Sequence, residues 1–138
     1  MVKFCMKNIH FHYLLPFKSG HLKRHQPKTY TMSDPSTLRE YFVYVPDHPN
    51  AHEKRREFVK QHNQEAGPLV KAGRVPWFGS TLDHHGREEE LPAEAGTVMV
   101  LKAENEEEVK EIIKRDIFVS EGVWNFEQLQ VWPFLSKM

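Results

Sequence analysis

One cysteine, Cys5, is the whole thiol content of this 138-residue sequence, which excludes an internal disulfide framework and fits a reducing compartment. Cys5 also falls where the folding signal is weakest, so it does not read as a nucleophile. Long apolar runs are missing too. The best stretch, Phe11 to Phe17, is interrupted by His12 and Pro16 and is far too short to span a bilayer. Net charge is absent, with 19 basic and 19 acidic side chains, so no overall basic bias draws the molecule onto nucleic acid. No glycine-rich phosphate loop, Ser-His-Asp set or dinucleotide fingerprint occurs, which disfavours nucleotide or NAD dependence, and no cofactor is expected. The pair His84-His85 beside Asp83 invites a metal reading. Adjacent residues on one loop rarely both face one ion, and no Cys or spaced His-x-x-x-His completes a set, so no metal is expected.

What is present is unevenly placed. Residues 1–31 hold six basic side chains (Lys3, Lys7, Lys18, Lys23, Arg24, Lys28), four histidines and no acid, which leaves residues 32–138 net acidic by six. An acidic body disfavours a phosphate-tracking groove and favours a small ligand or a protein partner. The first 31 residues read as a basic, disordered or dispensable extension, with Met32 the more natural start of a single domain over 32–138. A mitochondrial targeting segment is the rival reading, but such peptides favour Arg and Ser, and this stretch has one of each. The expected compartment is the cytoplasm, or the mitochondrion if that segment is a targeting peptide.

The body alternates strand and helix signals. Glu40 to Val45 is aromatic and β-branched and closes on Pro46, Asp47 and Pro49, the pattern of a buried strand. Residues 51–66 are strong helix formers in which Phe58, His62 and Ala66 share an inward face. Gly67-Pro68 is expected to end or kink that helix before a final turn reaching Ala72, with Gly73 as its left-handed stop. Val75 to Leu82 is a weaker strand, with Gly79 at a point of close approach. Asp83 to Ala95 is charged, lacks periodicity and reads as a surface loop.

Thr97 to Ala103 is the clearest strand. Asn105 with Glu108 then forms a helix cap, with Glu106 and Glu107 at the positive end of the helix dipole and Lys114 and Arg115 at the negative end. Val109, Ile112 and Ile113 give that helix one apolar stripe. A connector from Asp116 to Trp124 leads to a last strand over Phe126 to Phe134. The resulting α+β order, βαββαβ, predicts a ferredoxin-like fold, a four-stranded antiparallel sheet with both helices on one face. The other face would be rich in aromatic side chains, so a homodimer with two sheets packed face to face, a dimeric α+β barrel, is the expected assembly.

Residues 38–136 resemble the YCII-related (YciI-like) family of small dimeric α+β barrel proteins. The resemblance rests on Pro46-Asp47, Glu53-Lys54-Arg55, His62, Gly73, Gly79, the run Asp116-Ile117-Phe118-Val119-Ser120-Glu121-Gly122-Val123-Trp124, and Pro133-Phe134. It implies a pocket between the first helix and the sheet in which a histidine and an aspartate form a catalytic pair. The histidine carries over to His62 and the aspartate, less directly, to Asp83. Many relatives have Arg-Pro just before the histidine, where this chain has Val59 and Lys60. If that arginine holds a substrate anion, Lys60 or Arg56 has to substitute. Members include a dehydrochlorinase acting on a chlorinated hydroxyquinol, and the fold is related to that of muconolactone isomerases.

The chemistry expected is therefore proton transfer, as in a lyase or isomerase, with His62 as general acid or base and Asp83 orienting it. Trp77, Phe78, Phe118 and Trp124 are candidates to line a cleft for a small, hydroxylated aromatic ligand. The alternative is a non-catalytic binding or interaction module that uses the dimeric barrel as a scaffold. The two differ in geometry, because an enzyme needs an acid within hydrogen-bond reach of His62 inside a pocket.

Overall fold

Side-chain alternation along the first strand decides which way the sheet faces. In the computed structural model, which describes residues 34–137, strand β1 (Arg39–Pro46) buries Tyr41, Val43 and Val45 on one side and turns Phe42 and Tyr44 to the other. The expectations for the basic N-terminal extension, its targeting role and Cys5 lie outside the described residues. Helix α1 (His52–Lys71) follows, then the strands β2 (Trp77–His84) and β3 (Ala93–Ala103). Helix α2 (Glu106–Lys114), a short helix α3 (Ile117–Ser120) and strand β4 (Gln130–Phe134) complete the chain.

The strands form one antiparallel sheet in the order β2-β3-β1-β4, the ferredoxin-like arrangement that the βαββαβ order predicts. Tyr41, Val43, Val45, Met99 and Leu101 of the sheet share one core with Leu69 of α1, with Val109, Ile112 and Ile113 of α2, and with Phe118 and Trp124. The helices therefore cover a single face. Phe42 stands on the opposite face with its ring centroid 5.9 Å from that of Trp132 and 5.8 Å from that of Phe134, and Trp77 shares that face through its register with Val100.

Three local expectations meet the structure differently. The first concerns Gly67-Pro68, which does not end α1: the helix runs through the pair, and its final turn reaches Lys71 with Ala72 as the cap, as expected. A residue before proline is normally pushed out of helical geometry because its Cβ meets the proline Cδ, and glycine has no Cβ to clash. Gly73, at φ +73°, stops the helix as expected.

The second concerns the charged stretch 83–95, which is loop only in its middle. β2 continues to His84 and β3 begins at Ala93, paired through Leu82 with Glu94 and His84 with Ala93 across irregular registers. The third concerns Phe126–Gln128, which forms a 3₁₀ turn ahead of a shorter β4.

The point of close approach is also displaced. Gly79 lies on the aromatic face with only Trp77 near its missing side chain, at 3.9 Å. At Gly96 a Cβ would come within 2.8 Å of both the Val45 carbonyl and Thr81 Oγ1, so that glycine is the one the sheet requires.

Candidate functional site

Helix α1 places its functional side chains by periodicity. Arg55 and His62 are two turns apart on the same face, and the ring of Phe118, from α3, fits between them. The His62 imidazole stacks on Phe118 with centroids 4.1 Å apart and planes 5° from parallel. The Arg55 guanidinium carbon lies 5.0 Å over the same ring. A parallel imidazole already fills one face, so Arg55 takes the other. Trp124 closes a third side, edge-on to both His62 (5.1 Å) and Phe118 (5.4 Å).

Asp116 supplies the acid. It caps α3, with Oδ1 accepting the Phe118 N–H at 2.8 Å, and it accepts from His62 Nδ1 at 2.9 Å through Oδ1 and 3.0 Å through Oδ2. A carboxylate can only accept, so Nδ1 carries the proton and Nε2 is the free nitrogen of the neutral ring. Among the described residues Nε2 has no hydrogen-bond partner. Both side chains are largely buried, at 16% and 13% exposure, which strengthens the pair electrostatically.

Arg55 anchors this arrangement to the sheet. Its guanidinium donates to Asp47 through Nε (2.7 Å) and Nη2 (2.9 Å), reaches Thr97 Oγ1 at 3.1 Å and pairs with Glu94 at 3.0 Å. Thr97 Oγ1 also accepts from Trp124 Nε1 at 3.2 Å. The connector bearing Asp116, Phe118 and Trp124 is then strapped to the end of β1, by His48 N–H to the Val123 carbonyl (2.7 Å) and Asn125 N–H to the Pro46 carbonyl (2.8 Å).

His62, Asp116, Thr97 and Trp124 open onto a cleft of about 490 Å³ between α1, α2 and the sheet, walled chiefly by apolar side chains such as Leu69, Met99, Leu101 and Ile112. Its chemistry is that of one oriented imidazole in an apolar chamber, the setting in which a general acid or base works on a small organic molecule. Among the described residues no group of three or more His, Cys, Asp or Glu side chains is placed to hold a metal ion. No helix among them is long and apolar enough to cross a membrane.

The expected site residues separate accordingly. Phe78 and Trp124 line the cleft with His62. Phe118 is fully buried and supports His62 from behind, and Trp77 points to the opposite face of the sheet. Asp83 is not brought to His62. It lies five residues beyond Phe78 on β2, ~16 Å along an extended strand, in a separate hollow with Asp47, His48, His52 and Glu94. Lys60 and Arg56 do not reach the cleft either: Arg56 pairs with Glu53, and Lys60 lies in a separate surface groove with Glu57 and Gln64.

Sequence reasoning missed Asp116 as the partner and Arg55 as the anchor. A usable signal existed for each, an Asp heading a short helical run and an Arg seven residues before the histidine on one helical face.

The chain belongs to the YCII-related domain family, whose model matches residues 40–135. It is 61% identical over 102 residues to "Fusaric acid biosynthesis protein 2" of Gibberella moniliformis, covering 74% of this chain and 98% of that protein. It is 30% identical over 105 residues to "Aspercryptin biosynthesis cluster protein B" of Emericella nidulans, covering 72% of this chain and 65% of that protein. Among solved structures it is similar to a 5-chloro-2-hydroxyhydroquinone dehydrochlorinase from Burkholderia phenoliruptrix, in complex with 2,5-dihydroxybenzoquinone. The TM-score there is 0.61 at 19% identity, over 71% of this chain and 95% of that one.

Proposed function

We propose that this YCII-related protein binds a small organic molecule in the cleft beside α1 and carries out cofactor-independent proton transfer on it, as a lyase or isomerase. The observation that carries the reading is the His62 Nδ1 contact to both oxygens of Asp116, with Nε2 left free in a residue that lines an apolar cleft. In the forward step Nε2 takes a proton from the substrate and the imidazolium that forms is held by Asp116. The electron pair left behind either shifts a double bond, with the proton returned at another carbon, or expels a leaving group. Relatives named for fusaric acid and aspercryptin biosynthesis support a small-molecule substrate. The aromatic face of the sheet supports a homodimer through Trp77, Trp132 and Phe134, all exposed in the single chain.

The test is a thermal-shift screen of the full chain against small metabolites, with each hit followed for turnover in wild type and His62→Ala. Turnover that disappears in a folded His62→Ala protein supports the enzyme. Hits that bind alike in both proteins without turnover support the alternative, a non-catalytic binding module. Sedimentation of wild type against Trp132→Glu tests the dimer, which the charge should convert to monomer.

A further inference from the structure

We propose that the ligand of this cleft is an elongated organic anion, a carboxylate on an apolar body, with the carboxylate at Lys71 and the far end of the body against His62. This rests on reading the cleft as a ligand site. The cleft wall follows α1 from His62 to Lys71, ~13 Å along the helix axis. Between those ends the helix presents Ala66 and Gly67, and a Cβ built on Gly67 meets nothing within 4 Å, so the middle of the cleft is open. Two further lining residues, Phe78 and Val70, are 61% and 41% exposed, an apolar rim that a long ligand would cover.

Besides His62, Lys71 is the one basic residue lining the cleft, and among the described residues no ion pair engages it. Its place in the last turn complements the helix dipole, which alone would explain its charge. The carbonyls of that turn, however, are already satisfied. Pro68, Leu69 and Val70 accept from the N–H groups of Ala72, Arg74 and Gly73 at 2.9–3.0 Å. Exposed and outside any ion pair among the described residues, the ammonium can turn to an incoming anion at the end of the cleft away from the acid–base pair. An amine-bearing ligand would meet repulsion there, and a neutral one would gain nothing from it.

The probes are decanoate, decan-1-ol and decylamine, titrated into the full chain while the methyl signals of Met99, Ile112 and Ile113 are followed by NMR. Decanoate is expected to shift those signals and to bind at least ten-fold more tightly than the alcohol or the amine. Lys71→Met should erase that preference, and Ala66→Leu, which fills the cleft with a good helix former, should weaken all three probes in a protein whose spectrum away from the cleft is unchanged. Equal binding of decanoate and decan-1-ol, or a preference that survives Lys71→Met, overturns the anion assignment while leaving the cleft as the site. If no probe moves the cleft methyls, or if Ala66→Leu binds decanoate as wild type does, the elongated ligand is overturned too. Turnover of an unrelated small substrate dependent on His62 would still stand apart from that result.

Discussion

Two connectors in this molecule carry an aspartate near their start, residues 116–125 and residues 83–95, and they are held very differently. The first is short on charge and dense in fastenings. Asp116 caps α3 and holds His62, Phe118 is stacked between His62 and Arg55, and the segment is bonded back to β1 by two backbone contacts. The second is rich in charge and largely exposed. Its ends belong to strands, and its middle turns on a bond from Glu90 N–H to the Arg87 carbonyl. A carboxylate becomes part of a site by being held at a fixed place among buried groups, and charge density along the chain says little about that.

Substitutions at the two connectors and their anchors should break this contrast in a definite order. Arg55→Met should cost most. It strips the partner from Asp47, whose side chain is 6% exposed, and removes the support behind Phe118, so a loss of about 3–5 kcal/mol is expected in denaturant unfolding. Asp116→Ala comes next. Losing the α3 cap costs about 1–2 kcal/mol, while Asp116→Asn, which can still cap, should retain most of that stability. Asp83→Ala should be close to neutral, within about 0.5 kcal/mol, because the side chain is exposed. A loss at Asp83 as large as that at Asp116 would erase the distinction.

The same contrast marks what the sequence made legible. Local patterns did well where the cause was local: an aromatic, β-branched run closed by Pro46 placed β1, Thr97 to Ala103 marked the heart of β3, and the Asn105 cap on Glu108 N–H, 2.9 Å in the structure, placed α2. At Gly67-Pro68 the helix continues to the expected final turn because the glycine removes the proline's clash with the preceding residue. The last strand also ran too far back: Leu129 and Val131 alternate with Gln128 and Gln130, but the residues before them, Phe126–Gln128, are bent by bonds from Gln128 N–H to the Asn125 carbonyl and from Leu129 N–H to the Phe126 carbonyl. The strand ends at His84 and Ala93 were hidden by the charged run that lies between them.

His62 was readable as an inward-facing residue from its helical face, and the structure places it on the cleft beside Asp116. Its partner was not, because Asp116 is 54 residues away and meets it only once α1 and α3 pack. Asp83 was favoured because it follows a strand, but strand geometry carries it to the far end of the sheet edge.

The measurement that bears most directly on this account is the tautomer of the His62 imidazole, read from two-bond ¹H–¹⁵N correlations in wild type, Asp83→Ala and Asp116→Ala. The neutral ring should carry its proton on Nδ1 in the first two proteins and lose that preference in the third. A ring protonated on Nε2 in wild type, or a tautomer that responds to Asp83→Ala and ignores Asp116→Ala, would contradict it.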